Sequence, residues 1–415
     1  MNILCTVLGA ALAMLAGCTQ VAPPPRTPWP VQPVGDAPPS MNLDAACVAD
    51  YRPGVDYFPD KLAFSYSTQL TVAYGPHFKR VWFRPSVVAG EVQEYLLVQC
   101  GTPAPPHGPH VQVVHVPVQR LVTGNSAMLG ALDELGLVDR LFGSESTRSA
   151  TVPSVRERVA RGLVQDMWGH GHASIEPVIA AQPDVYLSFY SAYPQGNMHP
   201  RLWELGVRAI AQADHHETHP LGRAEWLKLL ALLGNREALA NTQFAHIASE
   251  YARWREIASQ AGTRPDVLAG FASGRATMET FGGHNQRAQL IHDAGGRYVL
   301  DDVESPSSLV YLPFEMVYVR GAQAPVWLGT LGGRASVQSL LEANTLHGWF
   351  AAAQAGRVYA WDRGYTGAWA YPYQDQGMTR PHVQLAEAVV ALHPELLHLA
   401  GAPVPPAPQF LRKLP

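Results

Sequence analysis

The segment HHETHPLGRAEW, residues 215–226, gathers His215, His216 and His219 within five positions. Neutral imidazoles this close can bind a bare divalent metal, sit over the metal of a chelate, or hydrogen-bond a polar ligand. They can also form a solvated loop. The order differs from the His-Glu-x-x-His of zinc proteases: only Glu217 and Thr218 separate His216 from His219, so no general base sits between two ligands one helical turn apart. A second group, MWGHGHAS, supplies Trp168, His170 and His172. A tetrahedral zinc site wants three or four N, O or S ligands, and His170, His172, His216 and Glu217 are the candidate set. With 17 histidines in the chain, some clustering arises by chance. Aromatic residues give a third signal: Tyr190 and Tyr193 in SFYSAYPQGN, Phe281 with His284 in TFGGHNQ, and Tyr365, Trp369, Tyr371 and Tyr373 in DRGYTGAWAYPY. Glycine- and aromatic-rich loops suit large flat or greasy ligands, or else pack loops onto the body. Arg223 and Glu225 are expected to meet each other. The sequence has no glycine-rich phosphate loop, Gly-x-Ser-x-Gly elbow or Cys-x-x-Cys pair, so no enzyme and no intrinsic cofactor is expected.

These residues need a frame to hold them. The chain has 415 residues, 47% hydrophobic and 15% charged, enough for two domains with ordinary cores. A net charge of −4 with no basic block speaks against nucleic acid as a partner. Residues 1–17 read as an export signal with a short apolar run. Their Leu-Ala-Gly-Cys ending resembles the lipobox of bacterial lipoproteins, in which Cys18 would carry lipid. Residues 18–43, rich in proline, are expected to form an extended tether. The exported chain then keeps Cys47 and Cys100, expected to be bridged, the alternative being two buried thiols.

Residues 44–117 alternate in a β-rich pattern punctuated by turn chemistry and predict an antiparallel addition. From 118 to 233 strands interleave with helices, the pattern of a parallel sheet. Apolar residues then recur at helical spacing through 234–262, the expected connecting helix, and βα alternation resumes over 263–398, leaving a tail at 399–415. The expected class is α/β: two lobes, each with a mostly parallel central sheet, joined by a long helix. Ligands of open α/β sheets bind outside the carboxyl ends of strands, so both histidine-rich turns should face a cleft.

In order and spacing, RLVTGNSAMLGALDELGLVDRLFG, SIEPVIAAQPDVYL, PLGRAEWLKLLALLGNREALA, LIHDAGGRY, GWFAAAQAGRVYAWD and LAEAVVALHPELL resemble the periplasmic metal-chelate-binding proteins of ABC importers. Members of that family carry ferric siderophores, cobalamin or haem, and the similarity runs from about 118 to 397. The resemblance implies a cleft between two rigid lobes and docking onto a membrane permease dimer through one glutamate per lobe. By motif these are Glu176 in SIEP and Glu315 in LPFEMV, each otherwise an acid in a helix's first turn. The implied protein is a lipid-anchored receptor in the cell envelope that captures a metal chelate, a ferric siderophore first. Its expected ligand contacts are Trp168, His170, His172, Tyr190, His215, His216, His219, Phe281, His284, Trp369 and Tyr371. A cobalamin or haem receptor, a free zinc or manganese receptor, a metal-dependent hydrolase and an envelope sensor are the alternatives.

Overall fold

Short apolar strands buried on both faces cannot stand alone, and here they pair in parallel with helices covering them. A computed structural model describes residues 27–34, 37–169, 172–273, 276–305, 308–330, 336–367, 370–398 and 406–415. The signal segment 1–17 and Cys18 lie outside the described residues, as do His170 and Trp369. In the first lobe the sheet order is Ala209–Gln212, Val185–Phe189, Leu121–Thr123, Leu141–Ser144, Gln165–Asp166. All its neighbours run parallel. The second lobe orders Arg297–Tyr298, Asp266–Leu268, Val326–Thr330, Val358–Ala360 and Arg412–Lys413, parallel except for the last. Both orders reverse direction from their first strand, which places a crevice at the strands' carboxyl ends.

The helix Glu237–Ser259 joins the lobes and, at 23 residues, spans about 35 Å. Phe244, Ile247, Tyr251 and Trp254 repeat at intervals of three and four and are buried along one stripe. It is preceded by the helix Leu227–Gly234, every residue of which is buried, and Asn235 in the left-handed region (φ 57°) ends that helix.

Several boundaries move. Residues 44–117 form a four-stranded sheet, Leu70–Tyr74, Phe78–Phe83, Gln93–Gln99 and Gln112–Val116, that is mixed rather than purely antiparallel: its last two strands run parallel. The twelve residues between those strands are long enough for the crossover that parallel pairing requires. A disulfide joins Cys47 to Cys100. The expected tether is not wholly free, because Val31–Gln32 pairs with Cys47–Val48 and the Trp29 indole N–H donates to the Pro117 carbonyl at 2.8 Å. The tail is likewise part of the second lobe. Arg412–Lys413 completes its sheet, Phe410 is fully buried, and the Arg412 guanidinium pairs with Asp362 at 2.7 Å. VLAGFAS divides into Asp266–Leu268 and Phe271–Ser273 at Gly270 (φ +98°), where a Cβ would stand 2.2 Å from the Glu279 carbonyl oxygen.

The amino-terminal sheet meets the long helix at a buried charge pair. Lys79 and Glu237 are both fully buried and in contact. The Lys79 ammonium also donates to Asn235 Oδ1 (2.7 Å) and to the Leu232 carbonyl (2.8 Å), while Asn42 Nδ2 donates to Glu237 Oε2 (2.8 Å).

Candidate functional site

The strand Ala209–Gln212 runs into a single 3-10 turn, Asp214–His216, at the carboxyl edge of the first lobe's sheet. Asp214 pins that turn: it is buried, accepts from Gln212 Nε2 (2.8 Å) and pairs with Arg223 Nε (3.0 Å). Burial pushes the Asp214 carboxyl up, but hydrogen bonding from His215 and the charge of Arg223 outweigh it and hold the group well below the usual range. Arg223 therefore serves Asp214 and does not meet Glu225, correcting the expected pair.

His215 stacks flat on Phe189, ring centres 4.5 Å apart and 6° between planes, and the His216 ring lies 4.1 Å from His215. Burial, with the neighbouring His215, lowers the His216 pKa to about 3 against the opposing pull of Asp214 and a hydrogen bond to the Tyr190 backbone. Its Nε2 is buried and has no hydrogen-bond partner among the described residues. A neutral imidazole bonded through Nδ1 keeps its lone pair on Nε2. Ser86 Oγ donates to the His216 carbonyl at 3.2 Å.

Around this turn lies a pocket of about 220 Å3 between the lobes. One side is 215–218 of the first lobe, the other His284, Asn285, Ser305 and Ser308 of the second, and Ser86 and Val87 of the amino-terminal sheet close a third. The structure thus brings His215, His216 and His284 to one place.

Other expected contacts lie elsewhere. Glu217 is 1% exposed, and its oxygens accept from Ser67 Oγ, from Thr68 N–H (3.2 Å) and from the Trp226 indole (2.9 Å). It holds the segment 65–68 in place and has no oxygen to spare for a metal. Glu225 does the same beside it, accepting from the backbone N–H groups of Ser65, Tyr66 and Ser67 and from Lys228. Among the described residues no three His, Cys, Asp or Glu side chains gather as a cation would require. His219 caps the helix Pro220–Ala224 by accepting the Leu221 N–H at Nδ1 (3.0 Å), and its Nε2 lies 3.9 Å from Asp293. Tyr190 is buried, its hydroxyl donating to Glu91 at 2.8 Å. Phe281 stacks on Tyr298, ring centres 4.8 Å apart, and lines a second-lobe crevice with Arg287, Trp361 and Tyr373. Tyr371 is buried beside Tyr365, and burial raises its hydroxyl to about 12. Trp168 stands 44% exposed on the hairpin Trp168–Gly169 with His172–Ala173. Glu176 and Glu315 are exposed, each in the first turn of a helix, Ile175–Ala181 and Phe314–Gly321, one on each lobe.

Sequence reasoning passed over Phe189, Ser86, Val87 and the two serines. Phe189 had a local signal, an aromatic at the end of an apolar strand; the others had none. It also passed over Glu145, which follows the strand Leu141–Ser144 and whose carboxyl is raised to about 7 by burial and by Asp166. Above its unfolded pKa the unfolded carboxyl has lost its proton while the folded one retains it, so stability falls as pH rises from about 4.5 to 7. Glu145→Gln is therefore expected to gain on the order of 1–2 kcal/mol at pH 8, after discounting for partial exposure, and almost nothing at pH 4.5. Urea midpoints of both proteins at the two pH values check this; an equal gain at each would remove the ionisation as its cause.

The periplasmic binding protein family matches residues 121–365. An uncharacterised lipoprotein of Methanocaldococcus jannaschii is 22% identical over 317 residues, 73% of each chain. Among solved structures, a periplasmic heme binding protein from Pseudomonas aeruginosa superposes with a TM-score of 0.53 at 19% identity, over 72% of this chain and 98% of its own. Helicobacter pylori CeuE, solved as a nickel–histidine complex, gives 0.53 at 14% identity, over 68% of this chain and 86% of its own. At these identities the structures speak for the fold: two α/β lobes on a long helix. With the family match spanning more than half of its length, the chain belongs to the periplasmic binding protein family.

Proposed function

We propose that the protein is a lipid-anchored receptor of the cell envelope that captures a metal chelate, a ferric siderophore first, and delivers it to an ABC permease. The observation that carries this reading is the interlobe pocket, which His216, its Nε2 buried and without a hydrogen-bond partner among the described residues, lines with His215, His284 and neutral hydroxyl and amide groups from both lobes. A bare divalent cation would want three or four N, O or S ligands gathered around it, and among the described residues no three His, Cys, Asp or Glu side chains are. A coordinatively unsaturated chelate needs one neutral donor for its metal and hydrogen bonds for its periphery. The free-ion alternative loses Glu217 from its proposed set, since that carboxylate belongs to the scaffold. The proteins of similar fold, one named as a heme binding protein and one solved as a nickel–histidine complex, support the same class of cargo, and the relative named as a lipoprotein supports anchoring at Cys18. Capture and delivery, rather than turnover, is the function.

Glu176 and Glu315, exposed on the two lobes, are the docking residues in this reading. Two carboxylates set apart on rigid bodies hold an arginine-bearing partner in one orientation.

The test is a thermal-shift and native-mass screen of the metal-free mature protein against zinc, manganese, haem, cobalamin and several ferric siderophores. A chelate that binds only the folded state raises the melting temperature by mass action. A protein stabilised by zinc or manganese alone would end the chelate reading. For docking, Glu176→Ala with Glu315→Ala is expected to abolish uptake in cells while leaving chelate affinity unchanged. Normal uptake by that double variant would remove both residues from the permease interface.

A further inference from the structure

The pocket between the lobes has a wall that belongs to neither α/β lobe. Turn 85–91 joins the strands Phe78–Phe83 and Gln93–Gln99 of the amino-terminal sheet and precedes Leu121, where the family match begins. Ser86 and Val87, early in this turn, nonetheless line the interlobe pocket together with His284 and Ser305.

The turn is fixed to the first lobe at several points. Gln69 Nε2 donates to the Ala213 carbonyl at 3.1 Å, and Gln69 Oε1 accepts the Ser86 N–H at 3.3 Å. Ser86 Oγ reaches the His216 carbonyl at 3.2 Å, and the Tyr190 hydroxyl donates to Glu91 at 2.8 Å. Val87 and Val88 pack on the main core. Bonds of this number to segments more than 90 residues away make the turn a permanent part of the first lobe's cleft face, so a cargo must pass beside it.

The size and chemistry of the remaining space decide what passes. At about 220 Å3 the pocket lies below the roughly 300–1,000 Å3 typical of sites for drug-sized ligands. Val87 is the single apolar residue in its lining among the described residues; the others are hydroxyl, amide, imidazole and the committed Glu217. A planar macrocycle needs a broad apolar wall, whereas a compact complex presenting oxygen and nitrogen at its rim is matched by these donors and acceptors. We propose that turn 85–91 of the amino-terminal sheet sets cargo size, with Val87 as the specificity-determining residue and Ser86 as the residue that positions His216. The protein then takes small hydrophilic metal chelates and turns away tetrapyrroles. This inference rests on the chelate-capture reading for its cargo, though not for the placement of the wall.

The experiment uses the whole mature protein as parent, Val87→Gly and Val87→Trp, each checked for an unchanged melting temperature. The probes are ferric tris(acetohydroxamate), nickel–histidine, ferric desferrioxamine, haemin and cyanocobalamin, titrated by tryptophan fluorescence. The parent is expected to bind a compact probe and neither macrocycle. Val87→Trp should weaken the compact probe by about tenfold or more, and Val87→Gly should keep it and bind a larger hydroxamate chelate, ferric desferrioxamine, more tightly than the parent does, both macrocycles still being refused for lack of an apolar wall. Where the parent binds a probe, equal affinities in parent and both variants, or tight haemin binding by the parent, would overturn the proposal.

A measurement without ligand separates this from failure of the capture reading. Carbethoxylation of His215 and His216 by diethyl pyrocarbonate, mapped by peptide mass spectrometry, should speed up in Val87→Gly and slow down in Val87→Trp. If the parent binds no probe but these rates move as stated, capture fails and the wall stands. If the rates are unchanged, the wall falls.

Discussion

Replacing Glu237 with leucine is expected to destabilise the protein by about 3–5 kcal/mol, the cost of leaving one member of a buried ion pair without its partner. Lys79 and Glu237 are fully buried where the amino-terminal sheet meets the long helix. Burial pushes the Lys79 ammonium down, and the charge and hydrogen bond of Glu237 oppose it. Removing Glu237 leaves a lysine that must lose its proton or stay charged in an apolar setting, with Asn235 Oδ1 and one carbonyl for company. The double variant Lys79→Met, Glu237→Leu should lose less than either single variant, because no orphaned charge remains. Urea unfolding of all four proteins measures the cycle. Additive losses in the double variant would show that the pair does not interact as the geometry implies. Asn42, 195 residues from Glu237 in the chain, donates to the same carboxylate. Loss of Glu237 should therefore loosen the whole amino-terminal addition, read as faster proteolysis between residues 37 and 60.

His216→Ala is expected to weaken chelate binding by roughly 10- to 100-fold, the range for losing one buried, otherwise unpaired partner. The pH profile distinguishes this ring from an ordinary surface histidine. With its pKa held near 3 by burial and by His215, His216 keeps its lone pair throughout pH 5–8, so parent affinity should be flat there. A histidine titrating near 6.5 would instead lose affinity through the same window. The linkage also has a defined sign for folding. Between pH 6.5 and 3 the unfolded imidazole binds a proton that the folded one does not, so His216 lowers stability progressively as pH falls through that range. His216→Gln should flatten that part of the stability curve. Calorimetric affinities at pH 5, 6.5 and 8 decide the matter; a steep loss at pH 5 in the parent, absent from His216→Ala, would refute a neutral buried donor.

Local patterns of type and spacing carried the frame. Strand and helix alternation through the two lobes, the long run of helical spacing in 234–262, the glycine that ends a helix, and the histidines at a strand-to-helix turn all follow from periods of two and 3.6 residues. Those periods act over a few residues, so the chain's own order discloses them. VLAGFAS marks the limit: its β-rich composition was plain, but its division between two sheets depends on Gly270 meeting the Glu279 carbonyl, a contact set by another strand.

The site was decided by partners far apart in sequence. Glu217 and His216 are neighbours in one turn, yet Ser67, 150 residues earlier, claims Glu217 for the scaffold while His216 lines the pocket with an Nε2 that has no hydrogen-bond partner among the described residues. Tyr190 and Phe189 are adjacent as well; strand alternation sends one into the core against Glu91 and leaves the other to stack on His215. Ser86 and Val87 carry no motif, and only the packing of the amino-terminal sheet on the first lobe brings them to the pocket. The sequence by itself therefore determined the family, the two-lobe architecture and the turn where a ligand would be met. The tertiary structure decided which side chains remain unsatisfied there, because burial and hydrogen-bond partners are properties of segments more than a hundred residues apart.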